Sequence, residues 1–199
     1  MGTMRAFLFD TRAAGAAEFA LVLPLALGLL FGIIDVGRYA WQLNEYEKAT
    51  QMGVRYAVVT DPVTSVLSDP AVTYVGNTSC GDPLRAGDRI CAAAFPTIIC
   101  NSSGCDSGTL NSTAFNNVVG RIRDYQPRVA STQVAVEYRG SGLGFAGDPN
   151  KPEVAPIVTV RINNANYAPL SLSLFGATVG LPDFSYSLTL EDARGAASN

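Results

Sequence analysis

The sequence predicts an α+β protein: a long N-terminal transmembrane helix, followed by a small disulfide-containing domain with an antiparallel sheet and one or two packed helices. Three observations predict this class. Much of the apolar content lies before Thr60, four cysteines lie in one short stretch, and alternating apolar and polar residues recur towards the C-terminus. We divide the chain into a basic leader (1–15), a transmembrane and extended helix (16–60) and an α+β domain (61–199).

The first predicted element is an apolar run that has an acid, Glu18, at its edge. Residues 19–34 carry no charge, and counting from residue 13 extends the run to about 22 residues, enough to cross a bilayer. Arg5 and Arg12 precede the run. The positive-inside rule therefore places the N-terminus in the cytoplasm and the C-terminal domain outside.

Other residues of the run indicate how it behaves in the membrane. Pro24 kinks a helix, and membranes tolerate this when neighbours satisfy the freed backbone groups. Gly28 and Gly32 form a small-xxx-small pair that permits close helix contact. A cleaved signal peptide is the alternative, but it requires small residues after the apolar stretch, where this chain has Arg38. We therefore predict an uncleaved anchor.

The helical pattern continues beyond the apolar run. No proline occurs between Pro24 and Pro62, so the predicted helix extends from about residue 13 to residue 59. This second half packs on the chain's own domain or, in part, on other subunits. Its apolar face, at steps of three and four, consists of Val36, Tyr39, Ala40, Leu43, Tyr46, Thr50, Gly53, Val54 and Ala57.

Periodic patterns also predict the elements of the C-terminal domain. Residues 109–125 have apolar residues at helical spacing, with Asn111 or Ser112 as a plausible N-cap. The predicted sheet would pack on this helix and on the end of the long helix. Period-two alternation predicts three strands within residues 128–139, 153–163 and 184–192.

The connecting segments are rich in turn residues. Residues 61–83 indicate a loop with a short strand near residues 72–75, and residues 140–152 indicate turns. Residues 191–199 indicate a short, loose tail.

The four cysteines allow two interpretations. Zinc would need all four thiolates, because the chain has no histidine, and the cysteine spacings do not form the usual close pairs. Disulfides fit better with an exported domain. Of the three possible connectivities, we favour Cys100–Cys105 across a turn, with Cys80–Cys91 as the second bridge.

Composition argues against several functions. The net charge of -3, with no basic run, argues against nucleic-acid binding. The absence of histidine removes the commonest general base. A membrane-anchored hydrolase would therefore need Ser/Lys chemistry, and both lysines, Lys48 and Lys151, are in poor settings for it. We expect no enzyme activity, no cofactor and no metal.

The N-terminal sequence resembles the TadE-like family, whose members are minor pseudopilins or pilus assembly proteins of the bacterial tight-adherence (Flp-type) pilus. The matching residues are AAEFALVLPLALGLLFGIIDVGRYAW, residues 16–41, and NEYEKATQMGVRYA, residues 44–57. Residues 167–194 resemble the closing strands of the family more loosely. The resemblance implies an inner-membrane protein with a periplasmic domain. Its implied partners are the bilayer, other pilus assembly proteins or pseudopilins, and prepilin peptidase.

The resemblance also implies roles for residues near the start of the apolar run. In type IV pilin-like proteins, a peptidase removes the leader, and an acid pairs with a free amino group of a neighbouring subunit. A cut after Gly15 would place Glu18 third in the mature chain, and a cut after Ala13 would place it fifth. The candidate processing residues are Ala13, Ala14, Gly15 and Ala16, and the candidate assembly residues are Glu18, Phe19 and Pro24.

Two alternatives remain open from the sequence. Glu18 can instead be an acid at a helix start, favoured by the helix dipole and close enough to the interface to be hydrated. The whole chain can instead be a membrane-anchored periplasmic binding module outside pilus assembly.

Overall fold

The structure, a computed structural model, describes residues 11–68, 74–148, 151–173 and 176–190. Its helices are α1 (Thr11–Val59), α2 (Ser65–Ser68), α3 (Ser112–Arg123) and α4 (Leu170–Ser173). Its strands are β1 (Ile98–Asn101), β2 (Gly104–Cys105), β3 (Val134–Arg139), β4 (Gly144–Asp148), β5 (Lys151–Val154), β6 (Ile157–Ile162), β7 (Asn166–Tyr167), β8 (Val179–Gly180) and β9 (Phe184–Thr189). The architecture is α+β, as predicted.

The chain divides into two compact units. The first contains α1 up to Gln42, together with Asn166–Val179. The second contains Leu43–Ala165 and continues from Gly180. Helix α1 ends at Val59, as predicted, because Pro62 disfavours helix at the residue before it.

The second unit is built on an antiparallel sheet with the strand order β2-β1-β3-β6-β9. Alternation along the strands places one set of side chains on the core face. Val136, for example, pairs with Cys100 on one side and with Val160 on the other, and all three are fully buried. The predicted alternation is confirmed in β3 and β6.

Helix α3 and residues 43–59 of α1 contribute to the core of this unit. The Asn111 side chain accepts a hydrogen bond from the Ala114 N–H and so caps α3, as predicted. A Cβ placed on Gly53 would lie 2.7 Å from Cγ1 of Ile122, so the two helices approach closely there. Tyr46 stacks on Phe184, with ring centroids 5.1 Å apart.

The other face of the sheet carries polar pairs. The Arg161 guanidinium lies 2.7 Å from Oε2 of Glu137, and the hydroxyls of Thr159 and Ser187 are hydrogen-bonded across β6 and β9. Opposite charges and hydroxyl pairs on facing strands stabilise a sheet modestly.

The four cysteines form two disulfides, Cys80–Cys91 and Cys100–Cys105. This is the pairing that the sequence favoured. The zinc interpretation is wrong, because none of the four thiols is free.

Several predicted details are wrong. Residues 140–152 contain most of the β4–β5 hairpin rather than turns alone, and the loop after α1 contains the short helix α2. Tyr74 and Val75 are not in a strand, and residues 72–73 lie outside the described part of the chain, as do residues 191–199. Val36 is 70 % exposed although the pattern placed it on the packed face.

Candidate functional site

The first half of α1 is a helix whose apolar side chains are exposed. Within the described residues, α1 is the one helix long and apolar enough to cross a membrane. An amphipathic surface helix would hide one face, whereas this half exposes large apolar side chains all round. Those side chains are Phe19, Leu21, Val22, Leu23, Leu25, Leu27, Leu29, Leu30, Phe31, Ile33 and Ile34.

The candidate assembly residues lie on this exposed half. Glu18, Phe19 and Pro24 are all exposed, and Pro24 lies inside the helix. Among the described residues, no hydrogen bond or ion pair holds the Glu18 carboxylate. The structure therefore does not bring the three residues together with any other part of the described chain.

The candidate processing residues precede this half without a break in the helix. Ala13, Ala14, Gly15 and Ala16 all belong to α1, and Gly15 and Ala16 are exposed. Residues 1–10 of the predicted leader lie outside the described residues. Processing therefore stays a prediction.

Gly28 and Gly32, the small-xxx-small pair, have no neighbouring side chain of the described residues packed against them. A Cβ placed on either glycine would meet nothing within 4 Å. The pair is not used for packing within the described chain and is accessible to another helix or to lipid.

A cluster centred on Asp35 lies at the end of the apolar run, where the sequence suggested only a flanking charge. Oδ1 of Asp35 accepts hydrogen bonds from the Leu170 N–H (2.6 Å) and the Tyr167 hydroxyl (3.2 Å). Oδ2 accepts hydrogen bonds from the Ser171 N–H (2.9 Å) and the Ser171 hydroxyl (2.6 Å). The carboxylate is buried and has a partner on each oxygen.

The local sequence explains how this cluster forms. The first N–H groups of a helix have no partner within the helix, and a carboxylate is a strong acceptor for them. Asp35 satisfies these groups at the start of α4, although it lies 135 residues before Leu170 in the chain. Tyr167 adds an edge-on ring contact with Tyr39, with ring centroids 5.6 Å apart.

This cluster was not predicted from the sequence, because neither Asp35 nor the segment of residues 167–171 belongs to a periodic pattern that links the two. One signal was available: Asp35 is the only charged residue between Glu18 and Arg38. An acid next to a membrane run has a partner by default, but the sequence does not say which distant segment supplies it.

Three further features of the described residues bear on binding or chemistry. No group of three or more acids, cysteines or histidines among them could hold a metal. The Lys48 ammonium lies 5.2 Å from the centroid of the Tyr125 ring, in a cation–π contact. An open cleft in the second unit is lined by Glu47, Asp183, Phe184 and Tyr186, among other residues.

Comparison with known proteins agrees with the N-terminal resemblance. The sequence model of the family described as TadE-like protein matches residues 13–55, a segment that contains the first stretch of the resemblance, residues 16–41, and all but the last two residues of the second, residues 44–57. No curated protein matches the chain. No solved structure matches it either. The similarity to the TadE-like family is therefore confined to residues 13–55, which hold the exposed helix, Glu18 and Asp35.

Proposed function

We propose that this chain is a non-enzymatic, minor pseudopilin-like assembly protein of the tight-adherence (Flp-type) pilus. Helix α1 would anchor it in the bacterial inner membrane, with the N-terminus in the cytoplasm and the C-terminal domain in the periplasm. One observation carries the proposal: residues 19–34 form an exposed apolar helix that begins next to an exposed acid, in a segment that matches the TadE-like family.

The mechanism follows from the cost of a charge in lipid. An isolated carboxylate at the edge of a bilayer is unfavourable, and a neighbouring ammonium group reduces that cost. The amino group freed by leader cleavage on a neighbouring subunit is such a partner. Glu18 would then favour lateral association of α1 helices, while Gly28 and Gly32 would allow their backbones to approach.

Replacement of Glu18 tests this role. Glu18→Gln keeps the shape of the side chain and removes its charge, so we expect loss of surface pili at an unchanged level of the chain in membranes. Asp82→Asn is the control, because Asp82 is an exposed acid that lies outside both α1 and the cleft lined by Glu47. Normal piliation with Glu18→Gln would remove Glu18 from the mechanism.

Processing needs its own measurement. The N-terminal sequence and intact mass of the chain from native membranes should show a new start at Ala14 or Ala16. An intact Met1 would instead indicate a permanently anchored assembly factor, in which Glu18 is a helix-start residue.

A periplasmic binding module is the second candidate, and the cleft lined by Glu47, Asp183, Phe184 and Tyr186 favours it. Co-sedimentation with isolated peptidoglycan sacculi distinguishes the two. The assembly proposal predicts no co-sedimentation. Binding that Tyr186→Ala abolishes would favour the binding module.

A further inference from the structure

The described residues of the segment Asn166–Val179, which are residues 166–173 and 176–179 and are here called the docked segment, expose apolar side chains close to the end of the apolar run. Leu170, Leu172 and Val179 are 45 %, 41 % and 41 % exposed. The sequence contains no charged residue between Arg161 and Asp183. Single exposed apolar residues are normal on a protein surface, but several of them in an uncharged segment next to an exposed apolar helix indicate a contact surface.

Asp35 joins the docked segment to one level of α1. Its hydrogen bonds to Tyr167, Leu170 and Ser171 hold the start of α4 against the helix turn at which the apolar run ends. Ile33 and Val36, on either side of that turn, are exposed. The exposed leucines therefore lie in a segment that contacts α1 at the level where its exposed apolar run ends.

Helix geometry places this level at the edge of a bilayer. At 1.5 Å per residue, residues 13–34 extend about 33 Å, close to the hydrocarbon thickness of about 30 Å. Asp35 follows at the boundary. The exposed Trp41 lies about 9 Å further along the helix, within the headgroup layer that tryptophan prefers.

We propose that the docked segment is a membrane-contact element: it lies on the bilayer surface beside α1, with Leu170 and Leu172 in the boundary between headgroups and acyl chains. Asp35 enables this by holding the segment with a carboxylate whose oxygens are already hydrogen-bonded, which reduces the cost of a charge at that depth. The inference rests on insertion of α1 into a membrane, and it does not rest on a role in pilus assembly.

Tryptophan quenching by brominated lipids measures this contact. Trp41 is the only tryptophan, so Trp41→Phe provides a silent background into which Leu172→Trp is introduced. The full chain is reconstituted in phosphatidylethanolamine/phosphatidylglycerol vesicles with lipids brominated near the glycerol end of the chains. We expect the emission to fall by about half or more, as for a side chain at the interface.

Phe145→Trp in the same background is the matched control, because Phe145 is at least as exposed as Leu172, 47 % against 41 %, but belongs to the second unit. We expect little quenching of this tryptophan. Equal quenching of both tryptophans would overturn the proposal, because it would show no specific contact by the docked segment.

Substitutions of Asp35 test what holds the segment in place. Asp35→Ala removes the acceptors for α4, so the quenching of the Leu172→Trp tryptophan should decrease. Asp35→Asn retains an acceptor that caps helices well, and it should restore most of the quenching. Equal quenching in all three chains would overturn the role of Asp35.

Flotation of the vesicles separates the possible failures. If the chain does not float with vesicles, both the membrane anchor and this inference are wrong. If it floats and the Leu172→Trp tryptophan is not quenched, only the inference is wrong. If that emission is unquenched in sparse vesicles and shifts to the blue as copies per vesicle increase, the segment contacts a second copy instead of lipid, which also overturns the proposal.

Discussion

The two halves of α1 share one backbone geometry, but protein covers only one of them. In residues 19–34 the large apolar side chains are exposed, whereas in residues 43–59 Tyr46, Ala49, Val54 and Ala57 are buried in the second unit. The first half is apolar all round and the second is amphipathic. Helical periodicity in the sequence therefore predicts that a helix forms. The distribution of polar residues around that helix indicates whether protein packs against it.

The largest expected difference between the halves comes from truncating side chains. Ile122→Ala removes a fully buried side chain beside α1 and should lower the free energy of unfolding of the second unit by about 2–5 kcal/mol. Leu29→Ala, on the exposed half, should leave it unchanged. Urea unfolding of the full chain in detergent micelles, followed by near-UV circular dichroism, measures both. A similar loss in both variants would show that the first half is also covered by protein.

Enlarging a glycine should distinguish the halves almost as strongly. Gly53→Leu forces a side chain into the space occupied by Ile122 and should cost about 1–3 kcal/mol in the same assay. Gly28→Leu, where the added side chain meets nothing of the described chain, is the control and should unfold like the native chain. A larger loss of stability in Gly28→Leu than in Gly53→Leu would contradict the packing of α1 against α3.

Alkaline pH should affect the covered core through Tyr138. Burial raises the pKa of Tyr138 to about 12, although the hydrogen bond that its oxygen accepts from the Val63 N–H acts in the other direction. Its stabilising contribution is complete below about pH 10, the unfolded pKa, and is lost as the pH rises through about 12.

Tyr138→Phe sharpens this test. The variant leaves the buried Val63 N–H without its acceptor and should lose about 1–3 kcal/mol at neutral pH. The difference in unfolding free energy between the native chain and this variant should shrink between pH 10 and 12. A constant difference across that range would show that Tyr138 does not titrate with a raised pKa.

The smallest expected effect comes from the outer face of the sheet. Glu137→Gln removes the ion pair with Arg161, which is partly exposed, so the loss should be about 0–1 kcal/mol and should diminish in high salt. Asp124→Asn, which removes the more exposed pair with Arg121, is a control with an even smaller expected change. A loss above about 2 kcal/mol would indicate that Glu137 contributes to the core.

Much of this fold could be predicted from periodicity. Helix α1 was expected from about residue 13 to residue 59 and extends over Thr11–Val59, and the N-cap of α3 at Asn111 was also expected. Both follow from local rules, namely side-chain spacing and capping chemistry. The inward residues of β3 and β6 follow for the same reason.

The features that could not be predicted depend on contacts between residues far apart in the sequence or in different molecules. The period-two pattern of β9 is only partly reflected in burial: Phe184 is buried, but Tyr186 is 41 % exposed, and β9 is the last strand of the sheet, with a neighbour on one side only. The Asp35 cluster joins residues more than 130 positions apart, and no spacing rule connects them. The partner that we propose for Glu18 belongs to a second molecule, which a single chain does not contain.

The order of the strands has one more consequence, which concerns unwanted growth of the sheet. At one side β2 is only two residues long and is joined to β1 by the Cys100–Cys105 disulfide, so it offers almost no backbone to an incoming strand. At the other side β9 is six residues long. Within this five-stranded sheet, templated aggregation through backbone pairing is therefore confined to β9, and a charge or a proline introduced there would suppress it.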